Sequence, residues 1–464
     1  HKAAAYIESR MKSIGLKKPD ALPGHQQYFS LVSDSVLDCQ LEINGLKGVT
    51  GTDFIMPAGP NKTSDYSSST LLFVGYGIHD AEYDDYSGLS VKGKTLIMFQ
   101  GEPKKDGHYL ISGNDNASDW VNDGPSKKIE LAASLGASGI IMVNAFQDSF
   151  DKNYIKLLKR PSVMLSNPQE KKTINYAVIS HDFFKKIFPG GATRWLSMAV
   201  EYNPFAAEDK TEIQTGVKMS YAEKSNILNA SNVLGMIEGT DKKDEYVILT
   251  AHYDHLGKRG DNIYYGADDD GSGTAAILQM AEAFAAAKKA GSGPRRTLIF
   301  MTVSGEEKGL WGSRYYSDNP VFSLNKTSAD LNTDMIGRID TERKSGDTLN
   351  YVYVIGHDKV STELGKLNAD INQEFTGLTL DYKFDDPKDP NRIFFRSDHY
   401  NFARKGIPIL FFYDGMLQAD YHKPTDTVDK INWTLYAKRA KMIFHTAWAL
   451  ANRDQMIARD LPLP

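Results

Sequence analysis

Four stretches of this chain gather carboxylates and histidines directly behind apolar runs. The first spans 250–273, TAHYDHLGKRGDNIYYGADDDGSG. It carries His252 and Asp254 in a His-x-Asp spacing, then three consecutive aspartates, Asp268, Asp269 and Asp270, before Gly271-Ser272-Gly273. The second is the adjacent pair Glu306 and Glu307, the third Asp334 between apolar neighbours, and the fourth His422 in the turn-rich DYHKPTDT. Imidazole and carboxylate are donors that a divalent cation accepts, and so many acids in one place need a counter-charge. Taken singly, each stretch has another reading. Acids before Gly-Ser-Gly also suit a helix N-terminus, where they complement the dipole. Glu306 and Glu307 suit a solvated helix start, and His422 suits an exposed turn. The case for metal chemistry is the set rather than any member of it.

The set is meaningful only if the fold brings its members to one edge. Apolar runs at 246–250, 296–303, 349–355 and 407–412 alternate with helical patterns at 274–289, 308–316, 359–371, 397–405 and 434–451. Such alternation predicts a largely parallel sheet flanked by helices, with ligands at the carboxyl ends of its strands. Upstream, a helical pattern covers 1–14, a β-rich stretch covers 26–44, and a polar, turn-rich stretch at 59–69 reads as a linker. Between about 70 and 188 a second group of strands and helices follows without any clustering of ligand types.

With 464 residues the chain is expected to hold two domains, or one domain with an insertion. A 41% hydrophobic and 24% charged composition with net charge −5 gives no electrostatic case for nucleic acid or an anionic membrane. No apolar run approaches the roughly 18–20 residues of a spanning helix. The single cysteine, Cys39, excludes an internal disulfide and a thiolate zinc site, so a metal must use histidine and carboxylate. Residue 1 falls inside the first helical pattern, which leads us to expect a trimmed N-terminus that has lost any signal or lipoprotein anchor.

In order along the chain, HYD, GADDDGSG, SGEEKGLWGS, LNTDMIG, SDH and YHKPTDT resemble the co-catalytic di-zinc aminopeptidase family, which also contains glutamate carboxypeptidases. VGYGI, YDDYSGLSVKGK, AASLGASGIIMV and ISHDFFKKIF resemble the protease-associated domain often inserted in that family. The resemblance implies an α/β fold: a phosphorylase/hydrolase-like three-layer sandwich with a mostly parallel mixed sheet at 1–63 and 205–464. A smaller β-rich α/β protease-associated domain is implied at 64–204.

The same resemblance implies roles. Asp269 would bridge two Zn²⁺ ions across a cis peptide to Asp270. His252 and Asp334 would complete one zinc, and Glu307 and His422 the other. Asp254 would hold His252 from behind, and Glu306 would be the general base acting on a zinc-bridging water. Three protein ligands per zinc leave a position for shared water, and the net positive centre makes that water more acidic. Some members stabilise the oxyanion with a tyrosine just before Ser-Asp-His, where this chain has Phe394. Others use the residue before the last histidine, here Tyr421, which also suits a tyrosine that only packs on the loop. Ser397, Asp398 and His399 are expected to cap the helix they open, and His255 to do positional work only. Arg396, Tyr413 and the loop 384–392 are candidates for specificity.

The function expected is a zinc exopeptidase acting on peptides, an aminopeptidase first and a glutamate-releasing carboxypeptidase second. A glutaminyl-cyclase-like transferase and a non-catalytic receptor-like relative are the readings from other classes. Complete ligands for two metals count against both. Export to the periplasm, cell surface or medium, and pairing into a homodimer, complete the expectations.

Overall fold

A computed structural model describes residues 1–57, 65–150, 160–166, 174–190, 192–344 and 346–463. The chain divides into two compact units, residues 1–29 with 229–464, and residues 30–228. The boundaries of these units fall within two long strands, Gln26–Ile43 and Glu212–Ile237. Cys39, Leu41 and Ile43 of the first and Val217 and Met219 of the second are buried in the core of unit 30–228. Of the stretch expected to be a linker, 59–64 lies outside the described residues and 65–69 belongs to the strand Asp65–Phe73.

The unit that carries the acidic clusters begins with helix α1 (Lys2–Ile14), which buries Ala4, Ile7 and Met11 at helical spacing. Its sheet is built from β1 (the part of Glu212–Ile237 from 229 onward), β2 (Lys242–His252), β3 (Arg296–Val303), β4 (Thr327–Thr333), β5 (Tyr351–Ile355), β6 (Thr379–Asp381) and β7 (Ile409–Tyr413). Their order is β6-β5-β7-β4-β2-β3-β1. β7, β4, β2 and β3 run parallel. β5 is antiparallel to β7, and β1 to β3. Residues 247–252 and 296–303 are buried without a break, as strands covered on both faces must be.

Helices α2 (Gly271–Lys289), α3 (Trp311–Asp318), α4 (Thr362–Phe375), α5 (His399–Ala403) and α6 (Trp433–Asn452) cover the sheet. α1, α2, α6 and α4 pack in one group, and α3 packs with α5. α2 starts three residues earlier than its apolar pattern, because the Asp270 side chain accepts the Gly273 N–H at 2.8 Å and so caps it. α3 starts three residues later than expected. A 3₁₀ turn at Glu306–Lys308 intervenes, held between Gly305 (φ 82°) and Gly309 (φ 116°), both in the left-handed region open to glycine. The consequence is functional: β2, β3, β4 and β7 all deliver their carboxyl ends to one edge, where the four ligand stretches begin.

Unit 30–228 has a parallel core of its own, Asp65–Phe73, Thr95–Phe99, Gly139–Asn144 and Asn175–Ser180. Helix Ser126–Ser134 places Lys128 inside it, donating to the carbonyls of Phe99 (3.3 Å) and Gly101 (2.5 Å). Burial is the largest influence on this amine and, partly offset by Asp85 and Glu102, lowers its pKa from the ordinary 10.5 to about 7. Between those values the unfolded chain holds a proton that the folded chain lacks, so stability rises with pH. Urea unfolding is expected to give about 2 kcal/mol more stability at pH 9.5 than at pH 7.5, a gain absent in Lys128→Met. Equal pH slopes in the two proteins would refute this.

Candidate metal centre

β2 ends at His252, which is 1% exposed. Its ring Nδ1 lies 2.9 Å from the backbone carbonyl of Asp254. A carbonyl can only accept, so the proton sits on Nδ1 and the Nε2 lone pair is free to bind a cation. The Asp254 carboxylate, expected to perform this task, is 4.0 Å from Nδ1. It accepts instead from the backbone N–H of Gly305 (2.7 Å) and Glu306 (3.2 Å) and fixes the glutamate turn. Asp254 therefore braces the centre twice, once through each kind of oxygen.

Of the three aspartates, Asp269 is the one whose two carboxylate oxygens each meet an imidazole of the centre. Asp269 presents Oδ1 at 3.2 Å from His252 Nε2 and Oδ2 at 3.2 Å from His422 Nε2. The Asp269–Asp270 peptide is cis. Asp270 accepts from the N–H groups of His252 (3.1 Å), Gly273 (2.8 Å) and Met335 (3.2 Å), tying β2, α2 and the end of β4 together. Asp268 accepts from Gly337 N–H at 2.8 Å. Asp426, from YHKPTDT, receives the N–H groups of Asp268 (3.1 Å) and Asp269 (3.2 Å).

Asp334, just beyond β4, brings Oδ1 to 3.6 Å from His252 Nε2, while its Oδ2 accepts from Ser397 Oγ at 2.6 Å. Asn332 in turn donates to Ser397 Oγ at 2.8 Å. Ser397, expected to cap a helix, thus aims a carboxylate. The residue at that cap is Asp398, whose side chain makes no capping bond and accepts from Ser313 Oγ instead. His399 is a buried core imidazole stacked on Phe411, its pKa lowered by burial to about 3.

After β3 the two glutamates diverge. Glu307 sets Oε2 3.1 Å from His422 Nε2 and Oε1 2.7 Å from His255 Nδ1. Glu306 stands off, its Oε2 3.9 Å from His252 Nε2. Burial, opposed by His252 and reinforced by Asp334, holds the Glu306 carboxyl well above the usual carboxylate range. Burial works against charge on His422 too, but the Asp269 and Glu307 carboxylates beside it win and raise it to about 9. His252 is raised by Asp334, Glu306 and Asp269 despite complete burial. The cluster binds positive charge strongly, and a proton is the weaker of the charges it could bind.

The donors fit a pair of cations. His252, Asp269 and Asp334 converge on one side, and Asp269, Glu307 and His422 on the other. His252 Nε2, Asp269 Oδ2 and Glu307 Oε1 are buried without a hydrogen-bond partner, which is costly unless a cation takes them. Imidazole and carboxylate with no thiolate suit zinc among the transition metals. At the rim, Tyr421 stacks on His422 (centroids 3.8 Å, 21°) and accepts from Arg396 Nη2 at 3.0 Å. Phe394 is buried and brings no hydroxyl. The sequence gives Ser397 only a helix-capping role and His255 only a positional one. Both sit inside recognised motifs, but only the course of the turns after β2 and before α5 shows where they aim.

Residues 232–447 match the model of Peptidase family M28. A "probable leucine aminopeptidase" of Trichophyton verrucosum (strain HKI 0517) is 31% identical over 217 residues, 45% of this chain and 55% of that protein. A "probable glutamate carboxypeptidase" of Arabidopsis thaliana is 30% identical over 242 residues, 51% of this chain and 31% of the other. The chain spans about half the length, or less, of these curated relatives. An aminopeptidase from Aneurinibacillus sp. strain AM-1 has a similar fold, with TM-score 0.53 and 19% identity over 100% of this chain and 91% of that one. The matched segment contains all the residues of the centre, from His252 to His422.

Proposed function

We propose that the protein is a zinc-dependent exopeptidase with two zinc ions, an aminopeptidase that releases N-terminal residues from peptides. The observation that carries this reading is the two-sided presentation of Asp269, with a histidine 3.2 Å from each of its oxygens. His252 and Asp334 would hold one ion, Glu307 and His422 the other, and Asp269 both. Bound there, the ions would supply Lewis-acid polarisation of the scissile carbonyl and acidify the attacking water.

The chain's own residues do the rest. Glu306 stands close to the ligand set without joining it, in a buried position that raises its carboxyl. It takes the proton of the attacking water and returns it to the leaving amine. Tyr421, stacked on His422 at the rim, would donate its hydroxyl to the developing oxyanion. Arg396 donates to the Tyr421 oxygen, so the tyrosine's own proton remains free to donate. Tyr421→Phe is expected to lower kcat about 10²-fold, the low end for an oxyanion donor, with KM little changed. A kcat within twofold of the parent would remove Tyr421 from the mechanism.

Names among the relatives support aminopeptidase and carboxypeptidase chemistry, and a substrate panel separates them. Aminoacyl p-nitroanilides with a free α-amine should be cleaved and their N-acetyl counterparts should not. Release of C-terminal glutamate from N-blocked dipeptides, without cleavage of the free aminoacyl substrates, would make the protein a carboxypeptidase instead. Zinc content should approach two per chain and activity should return on zinc addition after chelation.

The order of strands and helices in unit 30–228 supports its reading as a protease-associated domain. Among the described residues no helix is long and apolar enough to cross a membrane. Export and homodimer formation belong to the same reading, tested by mapping the precursor's N-terminus and by sedimentation.

A further inference from the structure

We infer that His255 is a further ligand of the second metal position, which it shares with Asp269, Glu307 and His422. The inference rests on the two-metal reading above and adds a residue that the motif pattern does not supply. Under it the second position draws on four side chains and the first, at His252, Asp269 and Asp334, on three.

The placement of the ring is the first ground. His255 lies three residues beyond the end of β2, with its side chain 9% exposed. Nδ1 is 2.7 Å from Glu307 Oε1 and 3.8 Å from Asp269 Oδ2, and the ring meets that of His422 edge to face with centroids 5.9 Å apart. Nδ1 of His255, one oxygen of Asp269 and one of Glu307 all lie within 4.8 Å of one another.

The second ground is what these atoms lack. Neither nitrogen of His255 has a hydrogen-bond partner, nor do Glu307 Oε1 and Asp269 Oδ2, although all four atoms are buried. Nδ1 and Oε1 approach to 2.7 Å without the full geometry of a hydrogen bond, and with an oxygen of Asp269 they stand close enough to share one cation. That arrangement is repulsive when empty and favourable around a cation.

The third ground is restraint. Gly266 has φ +61°, and a Cβ placed on it would stand 2.6 Å from Cγ of the His255 ring and 2.5 Å from the Asp269 carbonyl oxygen. Glycine at this position lets the loop close over the imidazole, which limits its freedom to swing away. His422, in contrast, is 37% exposed on a turn beyond β7. A second, buried imidazole gives this position an anchor that its exposed histidine lacks.

The full chain is stripped with a chelator and titrated with Zn²⁺ by calorimetry, and the zinc-loaded form is measured by X-ray absorption at the zinc edge. The parent is expected to take up two equivalents with three imidazoles spread over them. In His255→Ala one equivalent should weaken by more than about 100-fold, beyond the roughly 10- to 100-fold cost of losing a residue that only orients a ligand, while the other is unchanged, and one imidazole should vanish from the absorption fit. Parental affinity for both equivalents, or an unchanged imidazole count, overturns the inference. His255→Asn keeps a hydrogen-bond donor but not a good zinc ligand. It should behave like the alanine variant, and recovery of parental affinity would mean that the ring only positions Glu307. A parent that binds fewer than two equivalents refutes the two-metal reading itself and is seen before any variant is made.

Discussion

Glu306→Gln is expected to keep both metals and to lose about 10³- to 10⁴-fold in kcat, towards the upper end of what a positioned general base contributes. Glutamine has the shape of glutamate but cannot take a proton. The geometry separates the two adjacent acids. Glu307 lies within 3.1 Å of two imidazoles, whereas the nearest imidazole nitrogen to Glu306 is at 3.9 Å, beyond Asp269 and Asp334 on the same nitrogen. Substitution leaves the backbone bond from Glu306 N–H to Asp254 untouched, so the turn should hold. KM should change little, because the lost interaction belongs to the transition state. Zinc content, far-ultraviolet dichroism and steady-state kinetics on one preparation decide the matter. Unchanged turnover would remove Glu306 as the base, and loss of one zinc would make it a ligand and reverse the division of labour proposed for the pair.

That division is what the family resemblance implies, and the strand ends that carry the motifs are easy to see in the sequence. The apolar runs before His252 and Glu306 are continuous, and glycines punctuate the loops beyond them. β4 was harder. Its sequence, TSADLNT, is polar, yet every residue in it is buried. Several of its polar groups pair beyond the strand itself, Thr250 donating to Asp330 at 2.9 Å and Asn332 to Ser397. No local propensity reveals such pairing, which joins residues 80 and 65 positions apart.

The same limit explains Asp254 and Ser397. A His-x-Asp spacing says that the two residues are near, but not which oxygen of the aspartate the imidazole meets. Ser397 meets Asp334 across 63 positions. The boundaries of the two compact units are hard to see in the sequence for a related reason. Turn-forming residues mark a linker only where the chain leaves its sheet, and Gln26–Ile43 and Glu212–Ile237 continue as strands across these boundaries.

The broadest loss is expected from Asp269→Asn. Every other proposed ligand faces one metal position, and Asp269 alone faces both, so the change should weaken both zinc ions by at least about 10²-fold and leave no measurable turnover at stoichiometric zinc. An amide keeps one oxygen but turns an N–H₂ towards one of the two imidazoles and removes the negative charge. That charge is substantial. Burial opposes it, yet His252 and His422 hold the Asp269 carboxyl below its ordinary range.

The pairing also fixes a pH signature. His422, raised to about 9, and His252, raised well above its usual value, carry protons at neutral pH in the metal-free centre. Zinc must displace them, so apparent zinc affinity of the parent should climb as pH rises towards 9 and the uptake should release protons. In Asp269→Asn the histidines lose a carboxylate that keeps them charged, and both the pH slope and the proton release should shrink. Calorimetry of zinc binding in two buffers of different ionisation enthalpy reads both quantities. Two zinc ions bound at parental affinity in Asp269→Asn, with the parental proton release, would show that the metals do not share this carboxylate.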